Sequence, residues 1–111
     1  MSQFDDVIEN LHAKMGELGI EFDVTLLNKV TKGLGPSIYN KDSSMVAVSD
    51  AEEVARVKNN FLIKKLGLED SVTLDAAVAK VGADMKALRM KPRAIFYYLL
   101  VKELGQEAFY A

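Results

Sequence analysis

The chemistry open to this sequence rests on its acids, lysines and one histidine, because it contains no cysteine and histidine occurs once, at His12. Disulfides, thiolate nucleophiles and thiolate metal sites are thereby excluded. Glu9 and His12 stand in a Glu-x-x-His spacing that sets both side chains on one helical face, with Asp5 one turn earlier, as in half of a di-iron carboxylate site. The second such pair that a bundle site requires is missing, so we expect no metal and no cofactor. His12 then borders an apolar stripe beside Ile8 and Met15. Neither Gly-x-Ser-x-Gly nor Ser-x-x-Lys occurs to mark an activated nucleophile, and no catalytic residue is assigned. Glu52-Glu53 and Glu69-Asp70 fall at or near expected helix N-termini, where negative charge complements the helix dipole without any catalytic role.

Three other groups of polar residues are candidates for binding. The first is the segment after Gly33, which runs about fifteen residues, whereas helices in compact domains are usually joined by about two to eight. Gly33-Leu34-Gly35 follows a helix instead of opening one, so it reads as a helix stop and not as a phosphate loop. Beyond it, Tyr39, Asn40 and Asp42 could form a recognition surface, or the loop could cap helix ends with its own side chains while Ile38, Met45, Val46 and Val48 pin it down. The second group is Lys58 and Lys65. At about 100° per residue they fall near 40° and 20° from Val54, inside the arc occupied by Phe61 and Leu62. Their stems could pack while the ammonium groups reach water, or the two lysines could meet an acid such as Asp42 or an external anion. The third group is Lys86, Arg89, Lys91 and Arg93, four cations just before or at the start of a helix. That run could hold an anion with help from the unpaired helix N–H groups, or could be a solvated basic linker.

The elements that must position these groups are helices. The first opens at Ser2 with a capping-box spacing to Asp5, carries Phe4, Val7, Ile8, Leu11, Met15 and Leu18 on one face, and stops at Gly19. A short second helix has Asp23 as its N-cap, Leu26, Leu27 and Val30 as its stripe, and Gly33 as its left-handed stop. The third begins with Ser49 and Glu52, runs through Val54, Val57, Phe61 and Leu62, and ends at Leu66-Gly67. Thr73 is the expected cap of the fourth, whose stripe is Leu74, Ala77, Val78, Val81, Met85 and Leu88. Pro92 suits the first turn of the fifth. From Ala94 to Val101 that helix is apolar around nearly its whole circumference, which places it at the centre of a bundle. The same eight residues could make a buried strand, but no partner strand is evident, and helix is the expectation.

Composition narrows the function classes. The 111 residues fit one domain, residues 1–111, able to bury about two-thirds of the surface its unfolded chain exposes. No stretch resembles a secretion signal or approaches the roughly twenty apolar residues that span a bilayer, so a cytoplasmic protein with no membrane role is expected. The net charge of −2 makes nucleic acid an unlikely partner. Residues 1–55 carry ten acids against four bases and residues 56–111 ten bases against six acids. Either opposite faces meet within one fold or copies associate head to tail. Tyr97, Tyr98, Phe109 and Tyr110 add apolar surface that a homodimer could cover.

Three long words in this chain are distinctive: Lys29-Val30-Thr31-Lys32-Gly33-Leu34-Gly35-Pro36-Ser37-Ile38-Tyr39-Asn40, then Val57-Lys58-Asn59-Asn60-Phe61-Leu62 with Lys64-Lys65-Leu66-Gly67-Leu68, and Arg93-Ala94-Ile95-Phe96-Tyr97-Tyr98-Leu99-Leu100-Val101. In order, from Leu26 to Glu107, the chain resembles a family of small bacterial proteins known only as domain of unknown function twenty-eight fifty-three. The resemblance implies a small all-helical bacterial protein and carries over no activity, cofactor or catalytic residue. The first helix and Met90-Lys91-Pro92 lie outside the likeness. The reading is therefore an all-α protein, a compact bundle of about five helices with one long ordered loop between the second and third. It would act as a binding or regulatory module for a protein partner or a small anionic ligand. The alternative is an enzyme using carboxylate and lysine chemistry around residues 33–49.

Overall fold

A computed structural model describes residues 3–39, 44–47, 50–88 and 91–110. Five α-helices form one compact bundle: α1 (Gln3–Leu18), α2 (Val24–Gly33), α3 (Ala51–Arg56), α4 (Val72–Asp84) and α5 (Arg93–Glu103). The segment after α2 is ordered where described, with a 3-10 turn at Gly35–Tyr39 and a two-residue strand β1 (Met45–Val46). β1 pairs antiparallel with β2 (Lys91–Pro92), Met45 opposite Pro92 and Val46 opposite Lys91, and so ties this connection to the base of α5. Ser2 and Ser49, expected as caps, lie outside the described residues.

α5 is the hub. Every residue from Ala94 to Val101 is buried, as a helix apolar on all sides requires, and α1, α2 and α4 pack around it. Tyr97 and Tyr98 therefore belong to the core. Tyr97 stacks on Phe61 with ring centroids 4.0 Å apart, and the Tyr98 hydroxyl accepts a hydrogen bond from the Asp23 N–H at 2.8 Å. Of the aromatic surface expected to be in surplus, both α5 tyrosines are buried inside the monomer, Tyr110 is partly buried against the core and Phe109 is exposed.

Helix ends show where local signals were outcompeted. Asp23 caps α2 through the Leu26 N–H as expected. The left-handed residue after α2 is Gly35, at φ 68°, and not Gly33, which remains inside the helix. α4 begins at Val72, two residues before the start that a Thr73 cap implies, because the Leu74 N–H bonds back to the Ser71 carbonyl and closes the first turn there. At α3, Asp50 supplies the cap through the Glu52 N–H.

The third helix changes winding partway. α3 passes directly into a π-helical segment, Val57–Lys65, which ends when Gly67 takes φ 74° and the Leu68 N–H reaches the Leu62 carbonyl. Hydrogen bonding to the fifth residue along turns the chain less per residue than an α-helix does. Seven residues then no longer bring a side chain back to nearly the same face.

Candidate functional site

That winding separates the two lysines that α-helical geometry would place together. Lys65 turns toward α2, where its Nζ donates to the Gly33 carbonyl at 3.2 Å and lies 6.0 Å from the Tyr110 ring centre. A cation at a helix C-terminus is favoured by the dipole and by an orphan carbonyl. Glycine at 33 leaves room for it: a Cβ there would meet the Lys65 Nζ at 3.1 Å. Lys58 instead faces α4. Its Nζ lies 2.7 Å from Asp70 Oδ1 and 2.9 Å from Asp75 Oδ1.

Lys58 stands in an open groove of about 680 Å³ between α3 with its π extension and α4. Ala51, Val54 and Ala55 form one wall and Val78 and Ala79 the other, with Asn59, Asp70 and Asp75 beside the lysine. The alanines make the depression, since residues at the surface of both helices carry only a methyl group. Val72, in the first turn of α4, is 81% exposed, the most uncovered large apolar residue among those described. The Lys58 side chain is only 19% exposed, whereas those of Asp70 and Asp75 are 66% and 60% exposed. The hydrogen bond to Asp70, then that to Asp75, holds the ammonium pKa above the usual lysine range, so the lysine is cationic at neutral pH. One positive charge is thus set against two negative ones.

The basic run before α5 is distributed differently. Arg93 turns inward and spans the bundle: its guanidinium lies 2.6 Å from Glu53 Oε1, donates to the Tyr97 hydroxyl at 3.0 Å and reaches the Met45 carbonyl at 3.3 Å. Its backbone N–H, at the start of α5, bonds to the Ser44 carbonyl at 2.7 Å. Glu53 also accepts from Arg56 at 2.8 Å. The Arg56 hydrogen bond, opposed by partial burial and reinforced by Arg93, keeps the Glu53 carboxyl below its ordinary range. Lys91 donates to the Leu88 carbonyl at 2.9 Å, Lys86 is exposed at the surface, and Arg89 lies outside the described residues.

Of the loop candidates, Tyr39 ends the 3-10 turn with its side chain exposed, and Asn40 and Asp42 lie outside the described residues. His12 packs its ring against Phe22, centroids 5.1 Å apart, with Nε2 buried and without a hydrogen-bond partner. Among the described residues, no three histidine, aspartate or glutamate side chains form a group that could hold a metal. No described helix is long and apolar enough to cross a membrane.

Asp70 and Asp75 were not singled out as binding residues from the sequence, where Asp70 reads as part of a helix-start acidic pair. The usable signal was Lys58 itself: a cation inside an apolar arc needs a counter-charge, and acids flank the start of the next helix.

The chain matches the family model described as "Protein of unknown function (DUF2853)" over residues 5–108 and belongs to that family. No curated protein matches it.

Proposed function

We propose that this member of the DUF2853 family, with the chain folded as one domain, is a binding module for a protein partner, and that the α3–α4 groove receives a helix of that partner. The observation that carries this reading is the groove itself, a mostly apolar trough of about 680 Å³ lined by Ala51, Val54, Ala55, Val78 and Ala79, in a molecule whose large aliphatic side chains mostly face the core. Apolar surface left open beside polar groups is the usual mark of an interaction site. Alanines on both walls let a helix backbone approach closely, and helix-in-groove docking uses such a surface. A small anionic ligand is disfavoured here because the two carboxylates outnumber Lys58.

The test is site-specific photo-crosslinking. A photoreactive side chain at position 55 should yield discrete protein adducts in the cells that produce the chain, and Ala79→Arg should remove them by filling the opposite wall. Adducts at position 55 no different from those at exposed Glu17 on α1 would sink the proposal.

A further inference from the structure

The groove's charges specify its occupant more closely, on the premise that the groove is a docking surface. We infer that the partner helix carries an arginine whose guanidinium takes the second oxygens of Asp70 and Asp75. The two carboxylates each give one oxygen, Oδ1, to Lys58. Among the described residues, neither uses its second oxygen in an ion pair or hydrogen bond with the protein. Lys58 neutralises one of the two charges and holds both carboxylates in place. A net charge of about −1 therefore remains at the solvent side, where the aspartates are most exposed. Lys58 is the only cation that lines the groove among the described residues. Arg56, the nearest in sequence, is engaged by Glu53.

An incoming phosphate or acidic helix would meet this rim with like charge and would have to compete for a lysine that already has two partners. An arginine meets complementary charge, and its planar fork can span two acceptors in a way that a lysine ammonium cannot. The groove's own apolar lining, Val54, Val78 and the alanines beside the two aspartates, offers a surface on which the arginine stem can rest. The remainder of the partner helix would place small apolar residues against Ala51, Ala55 and Ala79.

The experiment uses the whole chain, isotope-labelled, titrated with three alanine- and leucine-based amphipathic peptides identical except for a central arginine, citrulline or glutamate. The arginine peptide should shift the amides of Ala55, Asn59 and Ala79 saturably and bind about fivefold tighter than the citrulline peptide, the scale of a half-exposed ion pair. That advantage should shrink with added salt and disappear in Asp70→Asn/Asp75→Asn, with circular dichroism reporting on the fold. Asp70→Asn alone leaves Asp75 on Lys58 and should give an intermediate loss, and the comparison of peptides on the unsubstituted chain needs no variant. Equal affinity for arginine and citrulline, or preference for glutamate, overturns the inference while leaving the groove a docking surface. If no peptide shifts these amides, the docking reading fails and the inference with it. If the same amides shift on dilution of the protein alone, the occupant is a second copy and the inference of an arginine-bearing partner is wrong.

Discussion

Replacing Arg93 by methionine tests whether the cation at the base of α5 is a structural tie or a ligand-binding group. In the structure its side chain is 18% exposed and that of Glu53 14%, with 2.6 Å between guanidinium nitrogen and carboxylate oxygen. Removing one member of a fully buried pair costs about 3–5 kcal/mol, mostly because the other charge is stranded. Here Glu53 keeps Arg56 at 2.8 Å, which lowers the cost. Against that, the Tyr97 hydroxyl and the Met45 carbonyl each lose a donor, at roughly 1 kcal/mol apiece. Arg93→Met should therefore lose about 2–3 kcal/mol, or a melting midpoint lower by roughly ten degrees for a chain of this size. Urea unfolding followed by circular dichroism measures this directly, with an unchanged m-value showing that both end states are preserved. Acid adds a signature. The Glu53 carboxyl is depressed below its ordinary 4.5, so its contribution is complete above that pH and is lost as pH falls through the lower folded-state value. The gap between the parent and Arg93→Met should accordingly narrow in that acid range. A loss below about 0.5 kcal/mol at neutral pH would refute the assignment of Arg93 as a tie. So would stabilisation of the parent by phosphate that vanishes in the variant, because Arg93 would then be serving an anion.

Other expected outcomes follow from single contacts. Tyr98→Phe keeps the buried ring but leaves the Asp23 N–H without its acceptor, and should cost about 1–2 kcal/mol in urea unfolding, with faster hydrogen exchange at Asp23. Burial pushes the Tyr110 phenol from 10.0 up to about 12, so the fold favours its protonated form; that stability is complete below pH 10.0 and is lost as pH rises toward 12. Tyr110→Phe should flatten this alkaline limb, as seen in urea midpoints across the range. Lys65→Met should remove about 0.5 kcal/mol by uncapping the α2 carbonyl at Gly33, and the difference should diminish in salt.

What the sequence disclosed was whatever a single helix face decides. The apolar circumference of Ala94–Val101 required a central helix, and all eight residues are buried. Met85 and Leu88 kept their core positions even though α4 ends at Asp84, because the stripe specifies which side faces inward without specifying where hydrogen bonding stops. Gly33 and Thr73 misplaced helix ends for the same reason: cap residues are plausible at several neighbouring positions, and the backbone bonds that close a turn choose among them. Lys58 and Lys65 were assigned to one face by α-helical arithmetic, and nothing in Val57–Lys65 distinguishes a chain that bonds five residues back from one that bonds four.

Pairing across the fold is a different kind of information. Arg93 lies near three other cations in sequence, and nothing in that run points to its partner Glu53, forty residues away. Asp70 and Asp75 reach Lys58 only because the Gly67 turn folds α4 back along the π segment. The same distinction bears on the uneven charge. If the acidic first half and the basic second half were complementary faces meeting inside the bundle, many ion pairs would cross between them. Arg56–Glu53 and Arg93–Glu53 do so, both on one carboxylate, while Lys58, Lys80 and Lys102 pair with acids of their own half. The charged residues that line the α3–α4 groove, Lys58, Asp70 and Asp75, all belong to the basic half, and their net charge of about −1 is a local reversal of its sign. A partner sensitive to that reversal must engage the groove at close range, because at physiological salt the charge of the surrounding half is screened beyond about 8 Å.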